Sequence, residues 1–132
     1  MTSIYREIEL EAAPLDAWPT LRDSRNLADV FAGVLVEVTL DGDVRTVTFA
    51  NGNVVRERIV AIDDERMRIA YAAMGGHFEH HHASMQIVPD SHGRCQFVWI
   101  SDFLPDALQT AIEPLVDAGC AALKRSLGTP AG

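Results

Sequence analysis

The sequence predicts an α+β domain in which a curved antiparallel sheet of seven strands wraps around one long C-terminal helix, with two short helices between the first and second strands. Three observations lead there. Between residues 34 and 103, six segments of alternating polarity follow one another, separated by turn-forming residues. Residues 105–127 then switch to helical spacing. Residues 3–31 read as a strand followed by helical pattern.

The first strand, 3–11, alternates Ile4, Ile8 and Leu10 against Tyr5, Glu7, Glu9 and Glu11. In 13–23, Leu15, Trp18 and Leu21 fall on one side of a helix that Pro19 shortens by deleting a backbone hydrogen bond. A second short helix over 24–31 takes Ser24 as its cap. Strand 34–40 passes through Asp41-Gly42 into 44–50, and Asn51-Gly52 leads into 54–62; both dipeptides suit hairpins. Strand 66–74 follows Asp63-Asp64, strand 77–88 follows Gly75-Gly76, and strand 94–103 follows the turn at 90–93. In 105–127, Leu108, Ile112, Leu115, Val116, Gly119, Leu123 and Leu127 form the stripe of an amphipathic helix, which Pro114 should kink. Residues 1–127 are read as one domain and 128–132 as a frayed tail. This order is that of a helix-grip fold. One helix cannot fill the whole concave face, so a cavity between sheet and helix is expected.

Composition narrows the function. A length of 132 residues suffices for one core. The net charge is −8 and the only lysine is Lys124, so nucleic acid and anionic membrane surfaces are repelled. The N-terminal residues lack the apolar run of a signal peptide, and no stretch is long enough to span a membrane. Cys95 and Cys120 show no CxxC spacing. A reduced, cytoplasmic protein is expected, with a homodimer left open. No GxSxG, HExxH or phosphate-binding Gly-rich loop is present, and no cofactor is assigned.

Several segments together carry a family likeness: 8-IELEAAPLDAWPTLRD-23, 42-GDVRTVTFANG-52, 57-ERIVAID-63 followed by Tyr71, 97-FVW-99, and the helix end 123-LKRSL-127. On these the chain resembles the SRPBCC (START-like) superfamily, in particular its polyketide cyclase/dehydrase and lipid-transport branch, which shares its fold with lipid-transfer START domains and birch-pollen-allergen relatives. The likeness covers nearly the whole chain. It implies the helix-grip fold, but the superfamily includes carriers, receptors and cyclases, so it does not select one activity. His81 stands where many relatives carry an aromatic, and the pocket chemistry must come from this chain's own residues.

Strand parity predicts which side chains face the cavity. Glu79, His81, Ala83, Met85 and Ile87 fall on one face of the sixth strand, with His80 and His82 on the other. Cys95, Phe97, Trp99, Ser101 and Phe103 share the inner face of the seventh, and Met67, Ile69, Tyr71 and Ala73 that of the fifth. A three-residue turn at 90–92 would set Ala83 against Trp99 and His81 against Ser101. Arg45, Val47 and Phe49 face inward with Val55, Glu57 and Ile59, given a bulge near Asn53. The expected ligand-binding set is therefore Arg45, Phe49, Glu57, Tyr71, Glu79, His81, Phe97, Trp99 and Ser101, with Leu108, Ile112 and Val116 from the helix. It suits a hydrophobic small molecule with a polar head group. Arg45 and Glu57 are expected to neutralise each other, since a buried charge needs a partner.

The segment 77-HFEHHH-82 holds four of the five histidines. Adjacent histidines on a strand point to opposite faces, so they cannot act as one chelate. His80 and His82 lie roughly 7 Å apart by strand rise, and the predicted register offers Asp102 opposite His80 as a third ligand. We read them as solvated side chains on the convex face and assign no metal.

Binding or transport of a small hydrophobic ligand in the internal cavity is the first functional expectation. The alternative is an enzyme of the cyclase, aromatase or dehydratase type, with His81, Glu57 and Tyr71 as acid–base residues. A third is an interaction domain whose cavity has collapsed. Both cysteines are expected to be buried at the end of the core away from His81 and Ser101, at similar height along the helix axis.

Overall fold

A computed structural model describes residues 1–128. Strand β1 (Thr2–Leu10) leads into α1 (Pro14–Arg22), a 3₁₀ turn at Ser24–Asn26, and α2 (Leu27–Val30). Then follow β2 (Leu35–Asp41), β3 (Val44–Phe49), β4 (Val54–Asp63), β5 (Arg68–Met74), β6 (His80–Pro89) and β7 (Cys95–Leu104). A 3₁₀ turn at Asp106–Leu108 opens the closing helix α3 (Gln109–Leu127). The strands form one antiparallel sheet in the order β1-β7-β6-β5-β4-β3-β2, with α3 across its concave face. The helix-grip architecture is as expected. No helix among the described residues is long and apolar enough to cross a membrane. Residues 129–132 of the expected tail lie outside the described residues, and Gly128 still holds the backbone N–H of Glu11 through its carbonyl.

The core lies between the concave sheet face and α3, where Ile4, Leu10, Ile69, Met85, Ile87, Phe97, Phe103 and Leu123 are all buried. In α1 the buried set is Ala17, Trp18 and Leu21, while Leu15 points outward at 80% exposure, against the expectation. Leu15 sits in the first turn, one turn short of the stripe that meets the core. Trp18 donates its indole N–H to Asp64 at 2.9 Å, fixing α1 over the β4–β5 turn.

Three register details differ from the sequence reading. The β6–β7 connection is a five-residue loop closing at Pro89↔Cys95, in which Asp90 accepts from the backbone N–H groups of His92 and Arg94. Ala83 therefore faces Ser101, and Met85 faces Trp99. The slip is an even number of residues, so every side chain keeps its face. For the same reason Asp102 lies opposite His82, not His80. The expected bulge near Asn53 is absent from the β3–β4 pairing, and an irregularity falls instead between Ile59 and Ala61.

Candidate functional site

The cavity between the concave face and α3 has a volume of about 100 Å³. Its apolar walls include Val47, Phe49, Met85 and Trp99 from the sheet, Phe31 from the end of α2, and Ile112, Leu115 and Val116 from α3. Five polar side chains reach it: Arg45, Glu57, Tyr71, His81 and Ser101.

Arg45 and Glu57 are cross-strand partners on β3 and β4. The Arg45 Nε donates to Glu57 Oε1 at 2.8 Å, and Nη1 donates to Ser24 Oγ at 3.1 Å. Its guanidinium lies 4.5 Å from the centre of the Tyr71 ring, a cation–π contact. Burial pushes the Glu57 carboxyl up, against the pull of the Arg45 charge. This is a desolvated ion pair whose charges cancel within the wall.

Tyr71 accepts the indole N–H of Trp99 at 3.0 Å, which leaves its own hydroxyl proton free to point elsewhere. Burial, then the nearby Glu57, raise its pKa well above the ordinary phenol value.

His81 is held by the way β5 and β6 part. Their ladder ends at Tyr71↔Ala83, so the Ala73 N–H has no strand partner there and donates to His81 Nδ1 at 2.9 Å. With Nδ1 acting as acceptor, the ring proton sits on Nε2, which lies 3.4 Å from Ser101 Oγ. Desolvation, reinforced by His82 and His80, lowers the His81 pKa to about 4. At neutral pH His81 is thus an uncharged N–H donor facing the cavity. It cannot serve there as a general base, because the nitrogen that would take a proton is engaged by the backbone.

Of the expected ligand-binding set, Arg45, Phe49, Glu57, Tyr71, His81, Trp99, Ser101, Ile112 and Val116 line this cavity. Glu79 does not. It is exposed, because Gly75 and Gly76 adopt positive φ and β6 starts only at His80, so strand parity does not extend back to it. Phe78 turns inward instead, its ring 4.7 Å from His81 and 5.8 Å from Phe103. Phe97 is fully buried beyond the cavity, towards the Cys95 end of β7. Leu108 packs against the core from the 3₁₀ turn before α3, one turn short of Ile112.

The sequence reading missed Ser24 and Phe31. Ser24 is buried against Arg45, and it is Asp23 that caps the 3₁₀ turn through the Arg25 N–H. Phe31 lies 5.6 Å from the Trp99 ring. Nothing local in the sequence marks either contact.

On the convex face His80 Nε2 lies 2.8 Å from His82 Nδ1, and His82 Nε2 lies 2.9 Å from Asp102 Oδ2. The expected solvated residues are exposed, as read, but linked in a chain.

A family model described as polyketide cyclase / dehydrase and lipid transport matches residues 1–128. Among solved structures, the protein XoxI from Bacillus cereus is similar with a TM-score of 0.86 at 18% identity, over 96% of each chain. Norcoclaurine synthase from Thalictrum flavum, in complex with dopamine and hydroxybenzaldehyde, gives a TM-score of 0.73 at 18% identity, over 94% of this chain and 84% of that one. A Thermobifida fusca protein gives 0.69 at 24% identity, over 93% and 91%. At such identities the likeness carries the fold and not the ligand. No curated protein matches the sequence.

Proposed function

Because the chain belongs to the polyketide cyclase/dehydrase and lipid-transport family, we propose that it binds a small apolar molecule between sheet and α3, with the molecule's polar end at His81, Tyr71 and Ser101. The observation that carries this reading is the charge balance of the cavity wall. Arg45 is neutralised by Glu57 at 2.8 Å, and His81 is an uncharged N–H donor. Such a wall offers hydrogen-bond donors without net charge. It suits a neutral acceptor, such as a carbonyl oxygen, better than a carboxylate or an ammonium, either of which would be buried without a counter-charge. The free volume of about 100 Å³ is below the roughly 300–1,000 Å³ of most ligand pockets. Loading anything beyond a single ring requires wall side chains to swing outward, and Met85 is the most adaptable of them.

The enzyme reading is supported by one observation, the upward push of burial on Glu57 beside two neutral donors. In that reading His81 and Tyr71 polarise a substrate carbonyl and Glu57 takes the proton, so His81 acts as an electrophile and not as a base. Norcoclaurine synthase, of similar fold, binds hydroxybenzaldehyde, an aromatic carbonyl compound of this kind.

Native mass spectrometry of the purified protein, followed by thermal-shift titration with 4-hydroxybenzaldehyde, 4-hydroxybenzoate and 4-hydroxybenzylamine, tests the proposal. The aldehyde is expected to stabilise the protein and the two ions are not. Preference for either ion overturns the neutral-head assignment. No bound molecule and no response to any of the three supports the collapsed-cavity alternative.

A further inference from the structure

We propose that His80 and His82 chelate a divalent late transition metal of the copper(II) type on the convex face of the sheet, with Asp102 orienting one of the two rings. Residues two apart on a strand share a face, and these two rings stand at 81° with centroids 5.0 Å apart. His80 Nε2 and His82 Nδ1 are 2.8 Å apart. Two nitrogens each about 2.0 Å from one ion, the usual imidazole–metal distance, are about 2.8 Å apart when they subtend a right angle and about 3.3 Å apart at the tetrahedral angle. The observed hydrogen-bond spacing equals the right-angle separation, so the ion binds once both rings tilt to turn their lone pairs off the N–N line, in the geometry that copper(II) and nickel(II) prefer with nitrogen and oxygen ligands.

The second nitrogen of His82 supplies independent support. Its Nε2 lies 2.9 Å from Asp102 Oδ2, directly across the β6–β7 ladder. The carboxylate keeps the proton on Nε2 and so presents the Nδ1 lone pair towards His80. That is the carboxylate–histidine–metal arrangement found around metal-bound histidines. In the metal-free chain His80 Nε2–H donates to His82 Nδ1. When the ion binds, the His80 proton moves to its own Nδ1 and the ion takes its place between the rings, with no net loss of protons from the neutral pair.

The surroundings agree. Both histidines are exposed, and a net charge of −8 favours cation approach. His81, between them in sequence, faces the cavity and takes no part. No cluster of three His, Cys, Asp or Glu side chains among the described residues is arranged to hold a metal, so water completes the coordination.

The experiment is calorimetric titration of the intact protein with Cu2+ alone, paired with electron paramagnetic resonance. One equivalent per chain is expected, with hyperfine coupling to two nitrogens. His80→Asn and His82→Asn should each weaken binding at least ten-fold. Asp102→Asn should weaken it about ten- to a hundred-fold, the usual effect of losing an outer-shell partner. His77→Asn and His92→Asn should leave it unchanged. Circular dichroism checks that each variant is folded, and Asp102→Ser replaces Asp102→Asn if the latter is not. Undiminished binding in the His80→Asn/His82→Asn double variant would mean adventitious copper elsewhere and overturns the site. Unchanged affinity in a folded Asp102 variant overturns the orienting role.

Discussion

The backbone N–H of Ala73 donates to Nδ1 of His81 at 2.9 Å, so a side chain on β6 completes a ladder that the two backbones abandon after Tyr71↔Ala83. A protonated imidazole has no acceptor nitrogen and would break this bond. The folded state therefore excludes a proton that the unfolded chain accepts.

The sign of the pH effect follows. His81 has its pKa lowered to about 4 in the fold, against 6.5 for a free histidine. Between those values the unfolded state binds more protons, so stability rises with pH across that window. The contribution is complete above pH 6.5 and is lost as pH falls towards 4, on the order of 3 kcal/mol in all. Urea unfolding at a series of pH values should show this slope. His81→Gln, which keeps an acceptor but does not titrate, should flatten it. Identical pH curves for the two proteins would show that His81 is not held neutral.

The Arg45–Glu57 pair predicts a second asymmetry. Glu57→Gln leaves a guanidinium that is 2% exposed facing a neutral amide, and should destabilise the domain by about 3 kcal/mol. Arg45→Met combined with Glu57→Met removes both charges, and should cost less than the sum of the two single substitutions. The double-mutant cycle of unfolding free energies measures the difference. Additive effects would mean that the two side chains do not share their burial.

What was legible in the sequence follows from the period-two rule. Arg45 and Glu57 could be paired, and His81, Tyr71, Trp99 and Ser101 assigned to one face, because alternation sets a face even when the register slips by two. Glu79 was misassigned, and Phe78 left unassigned, because the alternation stops at a positive-φ Gly75-Gly76 turn, and nothing in the sequence marks the residue at which a strand begins. Ser24 and Phe31 were invisible because their contacts depend on where the α1–α2 segment lands over the sheet. The cavity volume depends on the same placement.

The cysteines make a third test. Both are free and buried, and Cys95 donates to the Ala12 carbonyl at 3.4 Å. They are not level, as the sequence suggested. Cys95 pairs with Leu10, beside the Glu11–Gly128 contact at the end of α3, whereas Cys120 adjoins Gly119, which packs on Trp99. Four residues pass from Pro105 to Leu108 before α3 begins, which shifts its register along β7. Desolvation raises both thiol pKa values, that of Cys120 to about 11. Neither thiol should react with an alkylating reagent in the native protein at pH 8, and both should react once urea unfolds it. Fast native labelling of Cys95 would show that the β1–β7 end of the core opens.

The last prediction sets two known effects against each other. Gly119 lies in the interior of α3, where replacing glycine by alanine ordinarily stabilises a helix by about 1 kcal/mol. A Cβ at that position, however, would lie 2.9 Å from Cζ3 and 3.2 Å from Cη2 of Trp99. The indole has little freedom to retreat, since its N–H is held by the Tyr71 hydroxyl at 3.0 Å and its ring lies 5.6 Å from Phe31. Overpacking of this kind costs about 1–3 kcal/mol, which outweighs the helical gain. Gly119→Ala should therefore lower the melting temperature. It should also change the emission of Trp99, read in a Trp18→Phe background, because the ring must move into the cavity that it lines. A more stable variant with unchanged emission would mean that α3 does not rest on β7 at this glycine, and the wall that shapes the cavity would have to be drawn elsewhere.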